Sequence, residues 1–101
     1  MSATARFDPV IHANNRLQVC ALLSPVDEME FAALRETLGV SDPVLSKHLK
    51  VLEDAGYVSL RKATVGTRQR TWAALTAPGR KALAGHLAEL RRVVQMAQAA
   101  E

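Results

Sequence analysis

Cysteine is almost absent from this chain. Cys20 stands alone, so no intrachain disulfide can form, and a reducing cytoplasm is the natural compartment. Aromatic residues are nearly as scarce, at 4%. The lone tryptophan, Trp72, reads as a packing residue on a strand and offers little for stacking on single-stranded bases. No apolar run approaches the ~20 residues of a membrane span, and Met1 to Arg6 lacks the apolar stretch of a secretory signal. A glycine-rich phosphate loop, a nucleophile elbow and a paired-carboxylate motif are also missing, and the three histidines fall on separate elements. The chain is therefore not expected to be an enzyme. Repeats, low-complexity tracts and linkers are absent too, and 101 residues make one domain, 1–101, with a modest core.

What is present is apolar residues at 49% and an uneven charge. From Ser41 to Lys81 there are eight basic residues (Lys47, Lys50, Arg61, Lys62, Arg68, Arg70, Arg80, Lys81) against three acidic ones (Asp42, Glu53, Asp54). The remainder holds five basic against seven acidic, Glu101 among them. A net charge of +3 thus conceals one basic segment, the electrostatic footprint of a surface for a polyanion, although a merely solvated face has the same composition.

The most informative stretch runs from Leu45 to Val58. Leu45, Leu49 and Leu52 recur at i, i+4 and i+7 with Val51 and Ala55 beside them, which commits one helix face to a core. Ser46, Lys47, Lys50 and Asp54 fall elsewhere on the wheel. Ser41 or Asp42 serves as N-cap with Pro43 in the first turn, and Gly56 takes the left-handed position that ends the helix before an alternating strand from Tyr57.

Around this stretch the spacing predicts a mainly α fold with a small β-hairpin. A first helix spans 9–24, opened by Asp8 and Pro9, with apolar positions on more than one face. Glu28 to Leu38 forms a short helix, with a brief strand near Met29. Gly39-Val40 then turns the chain into the Leu45 helix, so 28–56 is a helix-turn-helix, the unit whose second helix enters the DNA major groove. A hairpin over 57–75 follows, with strands Tyr57–Lys62 and Arg68–Leu75 joined by the turn-rich Ala63–Thr67. Thr76 and Pro78 open a last helix over 77–98, whose Leu83, Leu87, Leu90 and Val94 keep the spacing of a helix–helix seam.

This order, together with the run from Ser41 through S-K-H-L-K-V-L-E-D-A-G-Y-V to Val58 and the L-T-A-P-G-R-K-A-L of Leu75–Leu83, resembles the compact winged-helix domain of bacterial transcriptional regulators related to the MarR and ArsR repressor classes. The similarity covers roughly Pro9 to Val93. It implies a homodimer on double-stranded DNA, a recognition helix in each of two successive major grooves, and wings tracking the flanking backbone or minor groove. On that footing Asp42, Pro43, Val44, Ser46, Lys47 and Lys50 are the recognition-helix candidates for DNA contact. Arg61, Lys62, Thr64, Arg68 and Arg70 are the wing candidates, and Leu83, Leu87, Leu90 and Val94 the dimer interface. The implied function is a cytoplasmic repressor on an inverted-repeat operator. A small-molecule inducer, if the protein has one, would sit between the final helix, with part of the first, and the DNA-binding unit.

Alternatives stay open at this level. Winged helices also serve as protein-interaction modules without DNA. Asp8 with His12 (i, i+4) and His86 with Glu89 (i, i+3) have metal-ligand spacing if their helices meet, and a redox-responsive subtype would use Cys20. The simpler expectations are no metal and no cofactor, Cys20 as a small buried hydrophobe, Asp42 as a cap, and His48 as a core histidine with one satisfied nitrogen.

Overall fold

Asp8 begins the ordered architecture by capping a helix. In the computed structural model, which describes residues 4–99, its carboxylate accepts from the backbone N–H groups of Val10 (2.9 Å) and Ile11 (3.2 Å). Pro9 fills the first turn, where an N–H has no partner to find. The first three residues of Met1–Arg6, and Glu101 of the charge pattern, lie outside the described residues.

The single helix expected over 9–24 is two helices, α1 (Pro9–His12) and α2 (Asn14–Leu23), divided at Ala13 with φ −61° and ψ 135°. Arg16 supplies the physical reason. Its Nε donates to the Val10 carbonyl, the group that a continuous helix would pair with residue 14, and Asn14-Asn15 resumes the chain with residues that favour helix starts over helix interiors. The break allows α1 to bury Ile11 while α2 buries Val19, Cys20 and Leu23, which explains the spread of apolar positions around the supposed single helix.

A two-residue strand, β1 (Met29–Glu30), leads into α3 (Phe31–Leu38), so the expected Glu28 start gives way to strand pairing with Ala73 and Trp72. Gly39 ends α3 at φ 67°. Ser41 is the N-cap of α4 (Asp42–Asp54), with its hydroxyl 3.4 Å from the Val44 N–H, and Asp42 is the first helical residue. Leu45, Leu49 and Leu52 are all buried. At about 1.5–3 kcal/mol each, they anchor α4 far more firmly than any exposed ion pair on it. Val51 is half-buried, but Ala55, expected beside the stripe, is exposed at the C-cap. Gly56, at φ 80°, closes a Schellman motif: its N–H donates to Glu53 and that of Tyr57 to Leu52, each at 2.9 Å.

β2 (Val58–Val65) and β3 (Arg68–Leu75) form the wing, and the sheet order is β1-β3-β2, antiparallel throughout. The turn is tighter than the Ala63–Thr67 stretch expected. Ala63, Thr64 and Val65 stay paired with Arg70, Gln69 and Arg68, because β-branched residues suit the ladder and Gly66, at φ 66°, alone takes the left-handed turn position. The result is a mainly α, α+β winged helix completed by a long C-terminal helix, α5 (Ala77–Ala99).

Thr76 starts α5 by accepting from the Gly79 N–H (3.0 Å) and donates its own hydroxyl to the Gly56 carbonyl (2.6 Å). The Thr76 N–H meets the Tyr57 carbonyl at 3.0 Å. The Tyr57 hydroxyl donates to Asp8, whose backbone N–H donates to His86 Nδ1 at 3.0 Å. The joint between α4 and the wing is therefore tied both to the N-terminal segment and to α5. The last turns of α5, residues 91–99, are exposed throughout. They give the molecule extents of 58 × 29 × 21 Å and a radius of gyration of 15.1 Å, above the ~13 Å of a compact chain of this length.

Gly79→Ala tests the joint. A Cβ there would lie 2.2 Å from the Tyr57 carbonyl oxygen. A helix interior ordinarily favours alanine over glycine by about 1 kcal/mol, but this contact reverses the sign, and a net loss of about 1–3 kcal/mol is expected in chemical denaturation. A second expectation concerns acid. His86 is fully buried, and burial first, then the neighbouring His12, lowers its pKa from the ordinary 6.5 against an opposing pull from Asp8. The unfolded chain then takes up a proton near pH 6.5 that the folded chain refuses. Stability should be full above that pH and fall as pH drops below it, and thermal unfolding of His86→Gln should show a flatter dependence in that window.

Candidate nucleic-acid interface

The burial of Leu45, Leu49 and Leu52 decides which residues of α4 face outward, since positions three and four apart share a face. Asp42, Pro43, Val44, Ser46, Lys47 and Lys50 are all exposed. Lys47 makes no ion pair among the described residues. Lys50 pairs with Asp54 one turn on at 3.0 Å, with both side chains more than 60% exposed. Such a pair is worth a few tenths of a kcal/mol and exchanges readily for another anion.

Asp42 is differently placed. Its carboxylate accepts from Arg35 Nη1 at 2.7 Å, across the Gly39 turn, and it sits in the first turn of α4 where negative charge is favoured by the helix dipole. It braces the two helices of the helix-turn-helix against each other. Arg35 is a residue of this region that nothing local in the sequence marks, because the pairing runs across a turn rather than along a helix face.

His48 is half-buried, with Nδ1 3.5 Å from Arg16 Nη1. Burial, followed by Arg16 and Lys47, lowers its pKa from 6.5, but it lies at the edge of the core and not within it as expected, because the buried positions of α4 are taken by Leu45, Leu49 and Leu52.

On the wing, alternation of the strands places Val58, Leu60, Lys62 and Thr64 on one face and Ser59, Arg61, Ala63 and Val65 on the other. Their β3 partners follow suit. Arg61 therefore stands directly opposite Trp72, and its guanidinium carbon lies 4.4 Å from the ring centroid, so half-buried Trp72 packs against a cation as well as the sheet. Arg61 also holds Glu28 through Nε (3.2 Å) and Nη2 (2.6 Å). Arg70 Nη1 holds Glu30 at 2.6 Å, while its Nε is buried without a partner. Lys62 and Arg68 carry no ion pair among the described residues. Arg80, counted in the basic segment, is spent on the carbonyls of Ser24 (2.7 Å) and Val26 (3.2 Å). The basic segment is thus divided into braced and unbraced cations, a division invisible to a charge count.

The seam expected on α5 is shorter than the sequence pattern. Leu83 belongs to the chain's own core at 3% exposure, because the first turns of α5 lie against the domain. Leu87 and Leu90 are half-buried, and Val94 is 53% exposed. Val93 and Met96 add further exposed apolar surface at this end.

The sensing candidates are also placed. Cys20 is fully buried, and burial, with the Asp8 charge adding to it, pushes its thiol up to about 11, where no reactive thiolate forms near neutrality. His12 Nδ1 lies 3.4 Å from His86 Nε2, yet Glu89 is turned to Arg92 and the Asp8 carboxylate to α1 and Tyr57. Among the described residues no three of His, Cys, Asp and Glu are placed together to hold a metal ion. A cleft of about 630 Å³ lies between the N-terminal segment, Tyr57 and the start of α5, with Arg6 and Lys81 on its walls. Among the described residues no helix is long and apolar enough to cross a membrane.

Comparison with known proteins places this geometry. The family model described as a winged helix DNA-binding domain matches residues 15–94. An uncharacterised protein of Methanocaldococcus jannaschii is 35% identical over 75 residues, which is 74% of this chain and 82% of that protein. Among solved structures, the transcriptional regulator homologue protein from Pyrococcus horikoshii OT3 superposes with a TM-score of 0.79 at 26% identity, covering 85% of each chain. An ArsR family transcriptional regulator shares the fold with a TM-score of 0.56 at 24% identity, over 85% of this chain and 84% of its own.

Proposed function

The chain belongs to the winged helix DNA-binding domain family, and from that premise we propose that it regulates transcription as a homodimer, acting in the cytoplasm as a repressor on an inverted-repeat operator of double-stranded DNA. The observation that carries this reading is the two-sided character of α4. One face is consumed by three buried leucines, and the other presents Ser46, Lys47 and Lys50 without apolar cover. A helix of this kind, followed at one joint by a hairpin whose Lys62 and Arg68 make no ion pair among the described residues, suits a major groove and the adjoining backbone. A docking module would expose apolar side chains on the same face, and only Val44, at 39%, does so.

Dimerisation is supported by the far end of α5. Leu90, Val93, Val94 and Met96 leave a strip of apolar surface on a helix that extends beyond the domain, and a two-fold copy of the same strip would cover it. Two recognition helices related by that axis would meet half-sites about one helical turn apart. The effector site of this reading is the cleft beside Tyr57, whose Arg6 and Lys81 suit an anionic ligand.

Titration of genomic fragments with salt tests the function. Affinity should fall linearly on a log–log plot, with a slope of about −0.9 per phosphate neutralised. Absence of binding to any fragment at low salt overturns the reading. Lys47→Ala should cost about 1–3 kcal/mol on the selected operator if Lys47 reads a base edge, whereas a uniform loss across sequences assigns it to phosphate. For the dimer, Leu90→Asp with Val94→Asp should convert a species sedimenting at twice the chain mass into one at the chain mass with its thermal unfolding retained. Wild-type protein that sediments at the chain mass removes the homodimer.

A further inference from the structure

Two carboxylates stand where a DNA-contacting wing has most to lose from them. Glu28 takes both the Nε and Nη2 of Arg61, at 3.2 and 2.6 Å, in the forked two-point geometry that arginine uses for phosphate as well as carboxylate. Glu30 takes Nη1 of Arg70 at 2.6 Å. Pairing of β1 with β3, Met29 to Ala73 and Glu30 to Trp72, sets the strand carrying Glu30 beside the wing, with Glu28 one residue before it. Neither clamp is needed to hold the wing together. The ladder of β2 and β3 runs for eight residues on each strand, its root is buried through Val58, Ala73 and Leu75, and half-exposed ion pairs contribute only about 0–1 kcal/mol. What the clamps do change is charge. The Arg61 hydrogen bond holds the Glu28 carboxyl below its ordinary value of 4.5, so this anion is present throughout the neutral range. Arg70 is clamped by one of its donors while its buried Nε has no acceptor.

We infer that Glu28 and Glu30 are specificity-determining residues: Glu28 occupies the phosphate-binding fork of Arg61, Glu30 takes one donor of Arg70, and together they withhold these two arginines from DNA of arbitrary sequence. The inference rests on the wing being a DNA-contacting element. Binding to an arbitrary duplex then draws on Lys47, Lys62 and Arg68, whose ammonium and guanidinium groups have no carboxylate partner among the described residues. Suppressing the non-specific term raises the ratio of operator to random binding, because counterion release at phosphates carries nearly all of the affinity for random sequence.

The experiment compares wild type, Glu28→Gln, Glu30→Gln and the double variant on a short random-sequence duplex over a range of salt, with thermal unfolding as a check on the fold. Glutamine keeps the size of the side chain and removes its charge. Each released arginine should tighten binding several-fold at low salt and steepen the log–log slope by about 0.9. Adding Arg61→Gln to Glu28→Gln should return the slope to that of wild type. Tighter binding with an unchanged slope marks a general charge effect and overturns the inference. A shallower slope or weaker binding by folded variants does the same, since it makes the clamps braces. If wild type binds and the variants match it, the inference alone fails. If neither wild type nor the double variant binds at low salt, the DNA reading fails with it.

Discussion

The backbone carbonyl of Tyr57 is the point on which the mutual placement of α4, the wing and α5 depends. It accepts the Thr76 N–H at 3.0 Å and lies so close to Gly79 that no Cβ fits between them. Gly56, immediately before it, supplies the left-handed turn that ends α4. Helix α4, the first wing strand and the start of α5 therefore share one small junction. The Tyr57 hydroxyl extends it to Asp8 and, through the Asp8 N–H, to His86 on α5.

Magnitudes separate what holds the interface from what operates it. Each buried leucine of α4 is worth roughly five times an exposed ion pair, so its outward face is free to carry chemistry without endangering the fold. The ion pairs of that face and of the wing matter by sorting cations. Arg35 is committed to Asp42, Arg61 to Glu28 and Arg70 to Glu30, and Arg80 to backbone carbonyls. Lys47, Lys62 and Arg68, on α4 and the wing, have no carboxylate partner among the described residues.

α5 joins two different environments in one helix. Its first half belongs to the domain through Gly79, Leu83, Gly85 and His86, all buried, and its second half carries Val93, Val94 and Met96 into solvent. The 3–4 spacing of Leu83, Leu87, Leu90 and Val94 runs unbroken across that change, which is why the pattern alone makes the outward seam look one turn longer than it is.

Local elements whose signals are contained within a few residues were legible along the chain. These are the leucine stripe of α4, the Gly56 stop, the Thr76 start of α5 and the outward placement of Lys47 and Lys50. Periodicity and capping act over one or two turns, so they are legible along the chain. The break at Ala13, where a guanidinium takes a helix carbonyl, and the burial of Leu83 within its own domain came instead from tertiary packing. The same holds for the clamps on Arg61 and Arg70, formed by residues 33 and 40 positions away. Charge pairing between distant segments depends on which strands become neighbours, and neighbourhood is settled by the packing of the whole core rather than by the spacing of the residues that pair.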